Sequence, residues 1–153
     1  MLRKLCFLAL VGGLLAVGAS TALAYTRRQI WDLQRINRLR SAHRVGSALR
    51  LGTQMTRRAQ YWADRLASRD IGSAGLADDT SGASTCWHAG GRYYGANSAI
   101  ARGYANDLSR DQYDLKHSPP HLANMLDRHF RWVGIGIAAD RHGVILIQDF
   151  CGR

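Results

Sequence analysis

The 153-residue chain contains no glutamate, and lysine occurs only at positions 4 and 116. Its carboxylates are all aspartates, which shortens the reach of any general acid. No helix-turn-helix, zinc-finger or aromatic RNA-binding signature accompanies the positive charge, so nucleic acid is not an expected partner. Internal repeats and low-complexity tracts are absent, and after residue 24 no apolar run is long enough to cross a membrane. Cysteine is scarce: Cys6, Cys86 and Cys151.

What is present begins with an export signal. Arg3 and Lys4 precede an uncharged Leu/Ala/Val/Gly run, and Ala22-Leu23-Ala24 forms a small-x-small cleavage site. Residues 1–24 are expected to be a signal peptide and residues 25–153 one domain, secreted or held at the cell envelope. Cys6 belongs to the leader and lies too early for a lipoprotein acceptor site. The remaining even pair, Cys86 and Cys151, reads as a disulfide in an exported protein. Closing that loop would stabilise the fold by about 4 kcal/mol on the chain-entropy model. Loss of Arg3 and Lys4 lowers the formal charge from +10 to +8. A basic exported surface suits an anionic envelope polymer or lipid headgroups.

Periodicity supplies the elements. Ile30, Leu33, Ile36 and Leu39 mark an amphipathic helix from Arg27 to about His43. Thr53 can cap a second helix whose core face is Met55, Ala59, Trp62, Ala63 and Leu66. Ile71 to Thr85 is rich in Gly, Ser, Ala and Asp and reads as a loop. A short strand is expected within Cys86–Tyr94, a helix over about Ser98–Leu108, and a connection of undefined form from Asp111 to His117. Trp132–Ala138 and Val144–Phe150 read as a hairpin about the turn Asp140-Arg141-His142-Gly143. The fold class is therefore α+β, an α-β-α sandwich with a small central antiparallel sheet.

The richest stretch is HSPPHLANMLDRHFRWVGIG, His117 to Gly136. Ser118 before Pro119-Pro120 predicts a helix start, with the Ser hydroxyl as cap. His121 then falls in the first turn, near the positive end of the helix dipole, a setting that favours the neutral imidazole a metal ligand or general base requires. The plainer reading is a histidine that hydrogen-bonds the helix to its neighbours. His117 and His121 are four apart, but His117 precedes the cap and need not share a helical face.

In order along the chain stand Ile36-Asn37-x-x-Arg40, the Ala59/Trp62-Ala63/Leu66 helix and Gly95-Ala96-Asn97. They are followed by Ser118-Pro119-Pro120-His121-x-x-Asn124-Met125-Leu126, Phe130-x-x-Val133-Gly134-Ile135-Gly136 and Gln148-x-Phe150. Together they resemble the CAP superfamily of cysteine-rich secretory, antigen-five and pathogenesis-related proteins, in its compact bacterial, SCP-like form. The resemblance implies an α-β-α sandwich with a cleft where two histidines and two acids can hold a divalent metal. His121 matches the family's SP-x-H histidine. The family's GEN element has become Gly95-Ala96-Asn97, and the methyl of Ala96 can neither bind a metal nor carry a proton. His88 or Asp78 would stand for the other histidine, and Asp111 or Asp114 for the second acid. Leu115 replaces the family's tryptophan.

Site candidates are thus His121, His88, Asp78, Asn97 and Ser118. His121 with His88 and one aspartate is a smaller set than a zinc site usually draws on, so no resident cofactor is expected. The resemblance implies non-catalytic binding of a lipid, a cell-wall component or another anionic extracellular ligand, with Trp87, Tyr93, Tyr94 and Tyr104 around the cleft. The alternative is a metal-assisted or histidine-dependent hydrolase, a peptidase or cell-wall-directed enzyme, working from His121.

Overall fold

Thr26 starts the first helix with a reciprocal cap: its hydroxyl accepts from the Gln29 N–H, and the Gln29 side chain accepts from the Thr26 N–H. The computed structural model describes residues 25–68, 81–102, 107–141 and 143–153. Along them run α1 (Arg27–Ala42), β1 (Arg50–Leu51), α2 (Thr53–Ser68), α3 (Ser81–His88) and β2 (Tyr93–Arg102), then α4 (Leu108–His117), α5 (Pro119–Leu126), β3 (Phe130–Asp140) and β4 (Gly143–Gly152).

The strands form one sheet in the order β1-β3-β4-β2. β4 is antiparallel to both neighbours, while the short β1 lies parallel to β3. The sheet is therefore mixed rather than wholly antiparallel. Every residue of β4 is buried, because helices cover both faces. Its alternate side chains serve two cores. Val144, Leu146 and Phe150 join Ile36, Leu115, Met125 and Ile135 beneath α1, α4 and α5. Ile145 and Ile147 join Ala59, Ala63 and Leu66 beneath α2. Cys151 bonds Cys86 of α3 beside Met55, so the expected disulfide is present.

The Val133-Gly134-Ile135-Gly136 spacing has a packing cause. A Cβ at Gly134 would lie 2.2 Å from the Met55 carbonyl carbon, and one at Gly136 would lie 2.0 Å from the Ala59 oxygen. Two glycines on one face of β3 thus let the α2 backbone rest directly on the strand. The Asn37-x-x-Arg40 pair also serves the fold. Asn37 brackets Leu49, accepting from its N–H (2.8 Å) and donating to its carbonyl (3.0 Å). Arg40, 1 % exposed, donates to the carbonyls of Ser47, Met125 and Asp127 and so ties the end of α5 to α1.

Several expectations change. α1 exists, but its most buried residues are Gln29, Asp32, Ile36 and Arg40, while Ile30 is exposed. Cys86–His88 are helical, in α3, whose first turns also occupy the C-terminal part of the expected Ile71–Thr85 loop. The strand begins only at Tyr93. Of the helix expected over Ser98–Leu108, residues 98–102 are instead the second half of β2, held in register to Arg102↔Gly143 by its pairing with β4. Residues 103–106 lie outside the described residues, and Leu108 opens α4. The undefined connection is α4, capped by Asp107 and anchored by Leu108, Asp111 and Leu115 on its buried side. No described helix is long and apolar enough to cross a membrane.

Candidate functional site

Ser118 occupies the cap position of α5, yet its side chain makes no capping hydrogen bond. Its hydroxyl instead lies 2.9 Å from Nδ1 of His121, one turn on. The capping expectation is therefore corrected. Pro119 and Pro120 have already removed two of the helix's free N–H donors, which leaves the hydroxyl available for the ring. His121 is half-buried, and its carbonyl accepts from Asn97 Nδ2 at 3.1 Å.

From that point a line of amides runs into the core. Asn124 donates to Asn97 Oδ1 (2.9 Å) and to the Ala96 carbonyl (3.1 Å). Asn97 donates to Gln148 Oε1 (3.1 Å), and Gln148 donates to Asp32 Oδ2 (2.8 Å). Gln112 of α4 donates to the other Asp32 oxygen. Gly95 permits this line, because a Cβ there would meet Asn124 Oδ1 at 2.8 Å. Asp32, Asn97 and Gln148 are all at most 1 % exposed. Burial raises the Asp32 carboxyl from 3.8 to about 6, against the lowering effect of the two amide donors.

Ala96 does not face this line. It pairs with Asp149 while its neighbour Asn97 pairs with Gln148, so the two side chains leave opposite faces of β2. On the Ala96 side, Asp149 accepts from Arg58 (2.5 Å) and from the Tyr94 hydroxyl (3.0 Å), and Arg58 also donates to Ser81 (2.9 Å). Burial pushes the Asp149 carboxyl up, and the Arg58 guanidinium opposes it. The Tyr94 phenol is likewise pushed up, first by burial and then by the Asp149 charge.

The other sequence candidates scatter. His88 ends α3, is exposed, and lies 3.3 Å from the Ser84 hydroxyl, with no contact to His121. Asp78 and Tyr104 lie outside the described residues. His117 ends α4, with Nδ1 2.7 Å from the Tyr113 carbonyl, and belongs to a different helix from His121. Asp114 pairs with Arg110 on the surface, and Leu115, at the family's tryptophan position, fills the core. Trp87 and Tyr93 are exposed. The structure thus joins Ser118, His121 and Asn97 but leaves His88 apart.

The sequence reading missed a groove of about 450 Å³ between α1 and α4. Trp31 and Leu39 give it apolar walls; Arg35, Arg38 and Lys116 give it charge; Tyr113 closes one side. The Arg35 guanidinium rests 4.8 Å over the Trp31 ring. No described carboxylate lies within ion-pair distance of Arg35, Arg38 or Lys116.

The model of the cysteine-rich secretory protein (CAP) family matches residues 33–150. The chain belongs to the CAP family. Solved structures carry the same fold. An outer surface protein from Borrelia burgdorferi superposes with TM-score 0.64 at 16% identity, over 86% of this chain and 96% of that one. A cysteine-rich secretory protein from Staphylococcus aureus gives TM-score 0.58 at 14% identity, over 82% of this chain. An extracellular SCP-domain protein from Bacillus anthracis gives 0.57 at 16%, over 86%. The chain spans only 38% and 45% of the length of these last two. No curated protein matches it.

The metal that a CAP cleft can hold does not fit the described residues. Ala96 supplies a methyl group where the family has a carboxylate, and the exposed His88 contacts Ser84 rather than His121. Among the described residues no three His, Cys, Asp or Glu side chains converge.

Proposed function

We propose that this CAP domain acts outside the cytoplasm as a non-catalytic binder of an anionic amphiphile, a molecule with a carboxylate or phosphate head and an apolar body. The observation that carries the reading is the α1–α4 groove. Its guanidinium and ammonium groups have no carboxylate partners among the described residues, and they border the apolar surfaces of Trp31 and Leu39. Arginine over an aromatic face keeps its N–H groups available to an anion while its plane is stacked. A pocket with mostly apolar walls and a few convergent polar groups is the usual form of a small-ligand site. The net charge, +10 for the whole chain and +8 without Arg3 and Lys4, would also draw an anion toward the surface over a distance set by salt. The residue pattern of the leader and the surface or extracellular descriptions of the structural relatives support the location.

The test is calorimetric titration of the protein with laurate and with dodecyl phosphate. Binding weakened at least ten-fold in Arg35→Ala/Arg38→Ala and in Trp31→Ala is the expected result. Absence of binding, or binding that ignores these substitutions, would overturn the reading.

One observation favours a second reading, a His121-dependent hydrolase. The Ser118 hydroxyl is not spent on capping and lies within hydrogen-bond reach of an imidazole. Turnover of casein or peptidoglycan that disappears in both Ser118→Ala and His121→Ala would move the function to that pair.

A further inference from the structure

One end of the sheet is built unlike the rest of the surface. There β4 ends and β1, β2 and β3 begin, and the Cys86–Cys151 bridge pins the end of α3 against them. Arg50, Arg92, Arg128, Arg131 and Arg153 all emerge at this end and are exposed. Trp87 (62 % exposed) and Tyr93 (44 % exposed) stand among them. Tyr93 stacks on His129 with ring centroids 4.5 Å apart, and the Arg153 guanidinium lies 5.2 Å over Trp132. The described carboxylate at this end, Asp127, is already engaged by the N–H and the ring of His129. Beneath lies an apolar slot of about 290 Å³ lined by Gly52, Met55, Ala89, Trp132 and Cys151.

We propose that this disulfide-clasped end is a docking face for the surface of an anionic phospholipid bilayer. Each part suits that partner. Tryptophan and tyrosine are amphipathic and settle at the headgroup level, apolar ring inward and polar edge outward. Arginines around them bring positive charge to the lipid phosphates. The chain's own layout points the same way. Tyr25, which directly follows the apolar run of residues 5–24, lies with its hydroxyl 3.0 Å from that of Thr53, a residue of the slot's rim.

The surface is separate from the α1–α4 groove, so the two can fail independently. The test uses the chain from Tyr25 onward, which holds every described helix and strand. It is mixed with vesicles of phosphatidylcholine, with and without phosphatidylglycerol, at low and high salt. Binding is expected only with phosphatidylglycerol, weakening as salt rises. A basic residue near an anionic surface contributes about a five-fold gain in affinity. Arg92→Ala/Arg153→Ala is therefore expected to bind about twenty-five-fold more weakly, and the two lysine replacements to retain most of the binding. Trp87→Ala should weaken binding and abolish much of the fluorescence blue shift on vesicle addition. Arg57→Ala, an exposed arginine of α2 outside both the groove and this end, should bind vesicles within about two-fold of the parent. No binding to phosphatidylglycerol vesicles would overturn the proposal. So would a loss in Arg57→Ala equal to that of the end variant, or binding to purified peptidoglycan alone.

Discussion

Replacing Asp32 by asparagine should make the protein more stable at neutral pH and remove the part of its pH dependence between about 4 and 6 that Asp32 carries. Asp32 is fully buried between α1, α4 and β4, and its two partners are the neutral amides of Gln112 and Gln148. Neither supplies a positive charge, so ionisation is opposed by burial, and the carboxyl rises from 3.8 to about 6. A folded-state value above the unfolded one means that the native state holds the proton longer. Stability is then greatest below about pH 4 as far as this group is concerned, falls as pH rises, and levels off above about 6. At about 1.4 kcal/mol per pH unit, the difference amounts to about 3 kcal/mol at pH 7. The replacement side chain would carry no charge, and the half-buried Gln112 can turn its amide to offer an acceptor. Urea unfolding at several pH values between 4 and 8 reads the effect, with a midpoint difference of roughly 1–3 M at pH 7 between parent and variant. Asp149 is raised in the same direction and would leave its own slope in both proteins, so the decisive quantity is the difference. Parallel pH profiles, or an Asp32→Asn protein less stable than the parent at pH 7, would refute the reasoning.

Three other perturbations probe the frame. Gly136→Ala sets a methyl 2.0 Å from the Ala59 carbonyl oxygen; displacing the α2 backbone should cost about 1–3 kcal/mol or more, measured as a lowered thermal midpoint. Asn97→Ala strands the Asn124 donor and leaves Gln148 Oε1 and the His121 carbonyl without the Asn97 amide, and should cost about 2–4 kcal/mol in urea unfolding. Reduction of the Cys86–Cys151 bridge, which closes a separation of 65 residues, should lower stability by about 4 kcal/mol on the entropy model while the far-UV spectrum is kept at low temperature.

What the sequence discloses follows from which forces act locally. α2, α5 and the β3–β4 hairpin are legible because their apolar spacing and turn chemistry are written within each segment. The bridge is legible because two cysteines remain after the leader. β2 is not, since Ser98-Ala99-Ile100-Ala101 has small residues that suit a helix equally well; pairing with β4 decides it. The start of α3 reads as a loop because Ser, Gly and Thr fill it, and its Cys86–His88 end reads as part of a strand, yet the bridge holds the helix down, and Gly82 leaves room where a Cβ would be 1.9 Å from the Tyr94 hydroxyl. α4 does carry a signal, with Leu108, Asp111 and Leu115 on one side and Asp107 as cap, but an aspartate at a buried position breaks the apolar pattern. The same is true of α1, where Asp32, Ile36 and Arg40 share the buried face at four-residue spacing. At the site, the sequence points to Ser118, His121 and Asn97, and the fold brings them together. The groove is invisible in sequence because its walls come from α1 and α4, which no linear pattern joins.

The most direct test of the account is a two-dimensional amide NMR titration of the protein with dodecyl phosphate. Groove binding predicts saturable shifts confined to α1 and α4, centred on Arg35, Arg38, Tyr113 and Lys116, with the amides around His121 and Asn97 unmoved. Shifts centred on Ser118, His121 and Asn97 instead, or no saturable shifts at all, would contradict it.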